Sequence, residues 1–205
     1  MKLLLFAVVA MMATTVAPVS SARSSLAVSS DSKKICTKEG GKVQDYVLYN
    51  GKAPEGIPMA RPMQVCSFPN KAAGTNNAFI VSLDTLASTK PTLAVLAFQA
   101  RIPPMPATSS SVSANPSNLY CNQLGGTTAV DSPVIYLPIP SAKLDWWTKK
   151  PDGSWKRGDD FCTFPDGSAM SPWTLYMHAN TNNSAPGIKF AYKKPDSNAL
   201  PGNDM

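Results

Sequence analysis

Four cysteines carry the clearest chemistry in this chain, because their surroundings repeat. Cys36 is followed by Gly40-Gly41 and later by Cys66-Ser67-Phe68-Pro69, and Cys121 is followed by Gly125-Gly126 and later by Cys162-Thr163-Phe164-Pro165. Zinc would need close cysteine pairs or several histidines. His178 is the single histidine, so neither a metal nor a cofactor is expected. Disulfides are the other use of such residues, and four cysteines allow three connectivities. The repetition selects one of them: if each copy is self-contained, Cys36 bonds Cys66 and Cys121 bonds Cys162. Closing loops of that length stabilises each copy by about 3–4 kcal/mol in the chain-entropy model. A unit below about 80 residues gains little more than that from its core, so the staples rival the whole margin of stability.

Other reactive residue types are sparse. A histidine base needs an activated nucleophile beside it, and no serine or cysteine motif accompanies His178. Glycoside hydrolysis needs two carboxylates at a fixed separation. Asp145, Asp159, Asp160 and Asp166 could supply them, yet Asp166 lies in a turn and Asp159-Asp160 at a strand entry, where acidic residues are common anyway. No catalytic residue is assigned on this basis. The best binding candidate is Trp146, Trp147 and Trp155 interleaved with Lys149, Lys150, Lys156 and Arg157. Aromatic faces beside cations suit sugar rings, anionic head groups or a protein hot spot. The same pattern also fits a strand pair that buries its tryptophans and solvates its lysines, and Trp173 is expected in the core. Asn182-Asn183-Ser184 is a glycosylation acceptor only in a eukaryotic cell, and Asn115 is excluded by Pro116.

The elements that would position these residues are short. Asp31 and Ser32 can cap a helix carrying Ile35 and Cys36, stopped by Gly40-Gly41. In the second copy Asn115 caps, Pro116 takes the first helical position, and Gly125-Gly126 stops the helix after Cys121. A strand follows each glycine pair, at Lys42–Tyr49 and at Thr127–Val130. Pro151-Asp152-Gly153 between Trp-bearing flanks predicts a hairpin. Each Cys-x-Phe-Pro segment reads as a strand ended by its proline. Phe79–Leu83 and Trp173–Met177 follow as strand or short helix, which periodicity does not decide. Pro91–Phe98 and Pro186–Tyr192 each place a proline before a final apolar strand. The expected fold is therefore α+β: two repeated, disulfide-stapled units, each a short helix on an antiparallel sheet. They span residues 31–102 and 115–194, joined by a Pro/Ser linker at 103–114 and followed by a tail at 195–205.

Lys2, the apolar run Leu3–Ala13 and Ser20-Ser21-Ala22 have the three parts of a secretory signal peptide over residues 1–22. The run is shorter than the roughly 17–25 residues of a membrane-crossing helix. A lead-in at residues 23–30 follows. Cleavage would change the formal charge from +6 to +5. Such an excess favours solubility and weak attraction to anionic surfaces, and it falls short of a nucleic-acid footprint.

The second copy, read as Asn115-Pro116-x-x-x-Tyr120-Cys121, Gly125-Gly126, Cys162-x-Phe164-Pro165-Asp166-Gly167-Ser168 and Trp173, resembles a small exported bacterial domain family of unknown function often labelled haemolysin. The resemblance covers about 65 residues and implies a mixed α/β module without an assigned active site. Family members commonly carry two further cysteines where this chain has Met170 and Asn180, and the joint absence of one bonded pair leaves Cys121 and Cys162 as partners. The long insertion between Val130 and Asp159 is particular to this chain.

Together these features predict a secreted, extracellular protein (periplasmic or envelope-bound in a bacterium) that is a non-enzymatic, effector- or inhibitor-like binder of a protein or glycan at a cell surface. The alternatives are a small hydrolase of cell-wall glycans and, third, a membrane-active haemolysin-like protein.

Overall fold

The computed structural model describes residues 30–69, 78–105, 115–129, 144–180 and 188–194. The expected signal peptide, the final tail and Asn182 lie outside them, as do most of the lead-in and the linker. In chain order the elements are α1 (Ser30–Lys38), β1 (Lys42–Asn50), β2 (Ile57–Pro58), β3 (Met63–Pro69), β4 (Ala78–Ser82), α2 (Leu83–Ala87), α3 (Leu93–Ala100), α4 (Pro116–Gln123), β5 (Leu144–Lys149), β6 (Trp155–Arg157), β7 (Cys162–Thr163), β8 (Ala169–Met170) and α5 (Pro172–Asn180). The fold is α+β, with one curled antiparallel sheet and several helices.

Both cysteine-bearing helices stop as their glycine pairs predict. Gly40 and Gly125 take φ of 81° and 82°, and the following Gly41 and Gly126 donate their N–H to Cys36 O at 2.9 Å and to Cys121 O at 3.0 Å. Asn115 Oδ1 accepts from Ser117 N–H at 3.1 Å, with Pro116 in the first turn of α4. The first helix begins at Ser30, earlier than the cap at Asp31 and Ser32 that the sequence suggests. Ser32 is buried within it.

The sheet runs β6-β5-β1-β3-β4-β8-β7, with β2 on the far end of β1. Strands from both cysteine-bearing halves therefore share one sheet, with β1, β3 and β4 of the first half flanked by β5–β6 and β7–β8 of the second. The β5–β6 hairpin extends one side of β1, with Val47 opposite Trp147, and β8 extends β4, with Val81 opposite Met170. Residues facing each other across paired strands share a side of the sheet. One side carries Cys66, Phe68, Phe79, Val81, Met170 and Cys162, and these pack with the helices and with both sulfur bridges. The other carries Tyr46, Val65, Ile80 and Trp146, closed by Phe161.

The two disulfides are Cys36–Cys66 and Cys121–Cys162. Each ties a helix to a strand one step from the Val81–Met170 junction, since Cys66 faces Val81 and Cys162 faces Met170. At that junction the hydrogen bonds are reciprocal. Ile80 N–H donates to Thr174 Oγ1 at 2.9 Å, and Ala169 N–H donates to Thr85 Oγ1 at 3.0 Å.

Three expectations are corrected. Residues 93–100 form a helix, not a final strand, because three donors of its first turn find side-chain acceptors. Leu93 N–H reaches Asp166 Oδ2 at 2.7 Å, Ala94 N–H reaches Ser168 Oγ at 3.1 Å, and Val95 N–H reaches Thr92 Oγ1 at 3.3 Å. The Asp166-Gly167-Ser168 turn thus starts a helix whose bonded residues lie 73 and 74 positions earlier in the chain. Residues 188–194 are irregular, with Ala191 N–H donating to Leu86 O. After Gly126 the chain makes a single bridge, Thr127 with Thr163, in place of the strand expected from Thr127. The two undecided segments resolve as strand β4 running into α2, and as helix α5.

Candidate functional site

A cleft of 310 Å³ opens where the first turns of α4 and α5 meet the start of β5 and the chain leaving β6. Its walls are Asn115 and Asn118 from α4, Pro172 and Trp173 from α5, Leu144, Asp145 and Trp146 from β5, and Arg157 through Asp160. The chain can turn into Asp159 because residue 158 is glycine. A Cβ there would sit 2.1 Å from Tyr46 Cε1, inside van der Waals contact with the phenol ring. Gly158 N–H donates to Trp146 O at 2.7 Å and holds the turn to the sheet.

Three of the four acidic residues singled out from sequence meet in this cleft, and their environments differ. Asp145 Oδ1 pairs with Arg157 Nη2 at 2.5 Å. Asp160 Oδ1 accepts from Phe161 N–H at 2.8 Å and from Ala129 N–H at 3.3 Å, so it fixes the loop that carries it. Asp159 is left with a carboxyl pushed up by burial, an effect that the charge of Lys156 partly offsets. The phenol of Tyr46 is pushed up to about 12, first by burial and then by the charge of Asp159. Asp166 stands apart, clamping α3: burial pushes its carboxyl up, but hydrogen bonds from Ser168 and Leu93 outweigh that and hold it below the usual range. The first turns of two helices at the cleft add partial positive charge, which favours ionised carboxylates there.

The hairpin forms as the Pro-Asp-Gly signal predicts, with Lys149 opposite Trp155 and Gly153 at φ 83°. Its seven candidate residues do not act as one surface. Trp146 is 7% exposed, packs edge-on against Phe161 and also lines the cleft. Trp147 and Trp155 lie on the opposite side of the sheet, half-buried, and Trp155 meets Tyr49 edge-on at 5.6 Å. Lys149, Lys150, Lys156 and Arg157 are exposed, and of the four Arg157 alone lines the cleft.

His178 is buried and stacked on Phe98 at 3.7 Å, and its Nε2 accepts from Arg101 Nε at 3.0 Å. Burial, then the Arg101 charge, lowers its pKa to about 4. A neutral imidazole with one nitrogen engaged in this way is a packing element outside the cleft.

Sequence reading missed Asn118 and the exposure of Trp173, which is 37% exposed with its ring edge-on to Tyr176. A signal was present: Asn115 and Asn118 are three apart in the first helical turn and so share a face. Their partner surface comes from residues 144–160, and one-dimensional spacing does not show that meeting. Among the described residues no group of histidine, cysteine or acidic side chains could hold a metal ion, and no helix is long and apolar enough to cross a membrane. Comparison with known proteins returns nothing to place beside this chain: no family model, no curated protein and no solved structure matches it.

Proposed function

We propose that this protein is exported through the signal peptide at residues 1–22 and acts as a non-enzymatic interaction protein, effector- or inhibitor-like, binding a protein or glycan at a cell surface. The observation that carries the reading is the cleft itself, where Trp173 stands among Asn115, Asn118, Asp145 and Arg157; the hairpin that supplies Asp145 and Arg157 also carries the exposed Lys149, Lys150 and Lys156. An aromatic platform ringed by fixed polar groups suits recognition. Two buried sulfur bridges suit an oxidising compartment.

The architecture behind this reading is two copies of one unit, related to the haemolysin-labelled family by the motif of the second. Supporting it are the matched glycine pairs, the matched placement of each bridge, and the reciprocal bonds of Thr85 and Thr174 across Val81 and Met170. The test is co-sedimentation of the secreted protein with intact cells. The Lys149→Glu, Lys150→Glu, Lys156→Glu variant is expected to lose most of the association, and added salt to weaken it for the wild type. Unchanged sedimentation of both the variant and a Trp173→Ala chain would refute the site.

A second reading, hydrolysis of cell-wall glycans, draws support from the raised carboxyl of Asp159, the character a general acid needs. The mechanism requires a second carboxylate. In this cleft Asp145 is engaged by Arg157 and Asp160 by backbone donors, which favours binding over turnover.

A further inference from the structure

The two ends of the sheet are finished differently. At β7 the chain closes its own edge, where Thr127 and Thr163 exchange backbone hydrogen bonds of 2.9 and 2.8 Å. At the other end β6 pairs with β5 alone, Trp147 facing Arg157, Thr148 facing Lys156 and Lys149 facing Trp155. Lys150 N–H donates to Ser154 O at 2.8 Å, and Gly158 N–H to Trp146 O at 2.7 Å. Facing pairs in an antiparallel ladder alternate between bonded and non-bonded, so Ser154, Lys156 and Gly158 turn their backbone groups toward β5. Trp155 and Arg157 turn theirs the other way, and among the described residues no strand receives them. The strand is also open to solvent: Lys156 and Arg157 are exposed and Trp155 is half-buried. An edge of this kind is a template for a strand from another chain, and outward residues two apart supply the alternating donors and acceptors that an added strand uses.

Side chains decide which strand can add. In a second copy of this chain, the one antiparallel register that bonds both outward residues of each β6 sets Lys156 against Lys156. Like charges directly opposite are unfavourable, and a lysine on an edge guards against self-pairing. From Lys149 to Arg157 the hairpin holds four basic residues and one acidic one. That acid, Asp152, is engaged by the N–H and hydroxyl of Ser154, and Asp159 comes after the strand. Asp145 matches Arg157, while Lys149, Lys150 and Lys156 form no ion pair among the described residues. The charge left over favours an acidic strand.

We propose that β6 is a docking edge for an extended acidic segment of a partner protein, which adds to the sheet as a further strand. It places a carboxylate opposite Lys156 and an apolar side chain opposite Trp155. The edge acts independently of the cleft, and Trp173 takes no part in it.

The test is an anisotropy titration of the purified full-length protein with short labelled peptides. The probes are an alternating valine and glutamate peptide, its valine and lysine counterpart, and two N-methylated forms of the first. With valines opposite Trp155 and Arg157, the valine N–H groups face the edge and the glutamate N–H groups face away. N-methylation of the valines keeps every charge and should weaken binding at least about tenfold, whereas N-methylation of the glutamates should change it by less than about threefold. The lysine peptide should bind wild type at least about tenfold more weakly than the glutamate peptide, and Lys156→Glu should reverse that preference. No binding of the glutamate peptide up to about 1 mM would overturn the proposal. So would equal losses for the two methylated forms, which is charge attraction without strand addition, or a Lys156→Glu chain with the wild-type preference. A wild-type dimer that the glutamate peptide dissociates would give the edge to a second copy and overturn the choice of partner.

Discussion

Replacing Gly126 with alanine tests why a paired glycine follows each helix cysteine. A Cβ at this position would lie 2.4 Å from Cys162 Sγ and 2.9 Å from Cys121 Sγ. Those sulfurs are bonded to each other, and both cysteines are fully buried on α4 and β7, so neither can step aside without moving an element. Overpacking of this kind costs about 1–3 kcal/mol, which for a chain of this size lowers Tm by about 2–4 °C per kcal/mol. Urea titration followed by tryptophan fluorescence should show a lower midpoint with an unchanged slope. The decisive comparison repeats Gly126→Ala in a Cys121→Ala, Cys162→Ala background. Opening the bridge, with its sequence separation of 41, costs about 4 kcal/mol by itself. With both sulfurs gone the added methyl enters vacated space, so its own cost should fall below about 0.5 kcal/mol. Gly125→Ala is the contrast. That residue has φ 82° and nothing within 4 Å of a built Cβ, so its cost of about 1–2 kcal/mol is backbone strain and persists with or without the bridge. Equal losses for Gly126→Ala in both backgrounds would refute the argument that the second glycine exists to seat the disulfide.

Three further outcomes follow from the packing. Thr174→Val keeps the shape but strands the buried N–H of Ile80, and should cost about 1–3 kcal/mol; a midpoint within error of wild type would contradict the reciprocal junction. Asp166→Ala removes the acceptor for Leu93 N–H and for Ser168, and should cost about 1–2 kcal/mol, with faster amide exchange in α3 than in α1. Lowering the pH from 6.5 to about 4 should destabilise the protein through His178, whose folded pKa is about 4. The unfolded chain takes a proton in that window that the native imidazole refuses, so native stability falls as pH falls and this contribution is flat above 6.5. A His178→Gln variant should have a shallower pH dependence over that window than wild type; parallel curves would contradict the assignment.

Sulfur pairing, helix stops and the hairpin were legible because each is written in local chemistry: glycine at positive φ, a capping asparagine before proline, a Pro-Asp-Gly turn. The long-range placement was not. Leu93–Ala100 reads as an apolar strand because its run of Leu, Ala, Val and Phe lacks polar periodicity, and the residues that make it a helix, Asp166 and Ser168, come from the other half. Likewise Thr127 has strand chemistry but finds one partner only, Thr163 on the two-residue β7. The acidic residues were visible singly. Which of them is engaged was not, because Arg157 reaches Asp145 across the hairpin and the backbone donors to Asp160 include Ala129, 31 residues away. Trp146 and Trp147 illustrate the same limit, since adjacent strand residues face opposite sides and only the fold says which side holds the cleft.

Binding without turnover is the centre of this account. A single assay addresses it: the purified protein is incubated with chitin and with partially deacetylated chitin, and both sedimentation with the polymer and new reducing ends in the supernatant are measured. The protein should sediment, and the reducing ends should stay at the blank level. Reducing ends that accumulate with time and disappear in Asp159→Asn would contradict it.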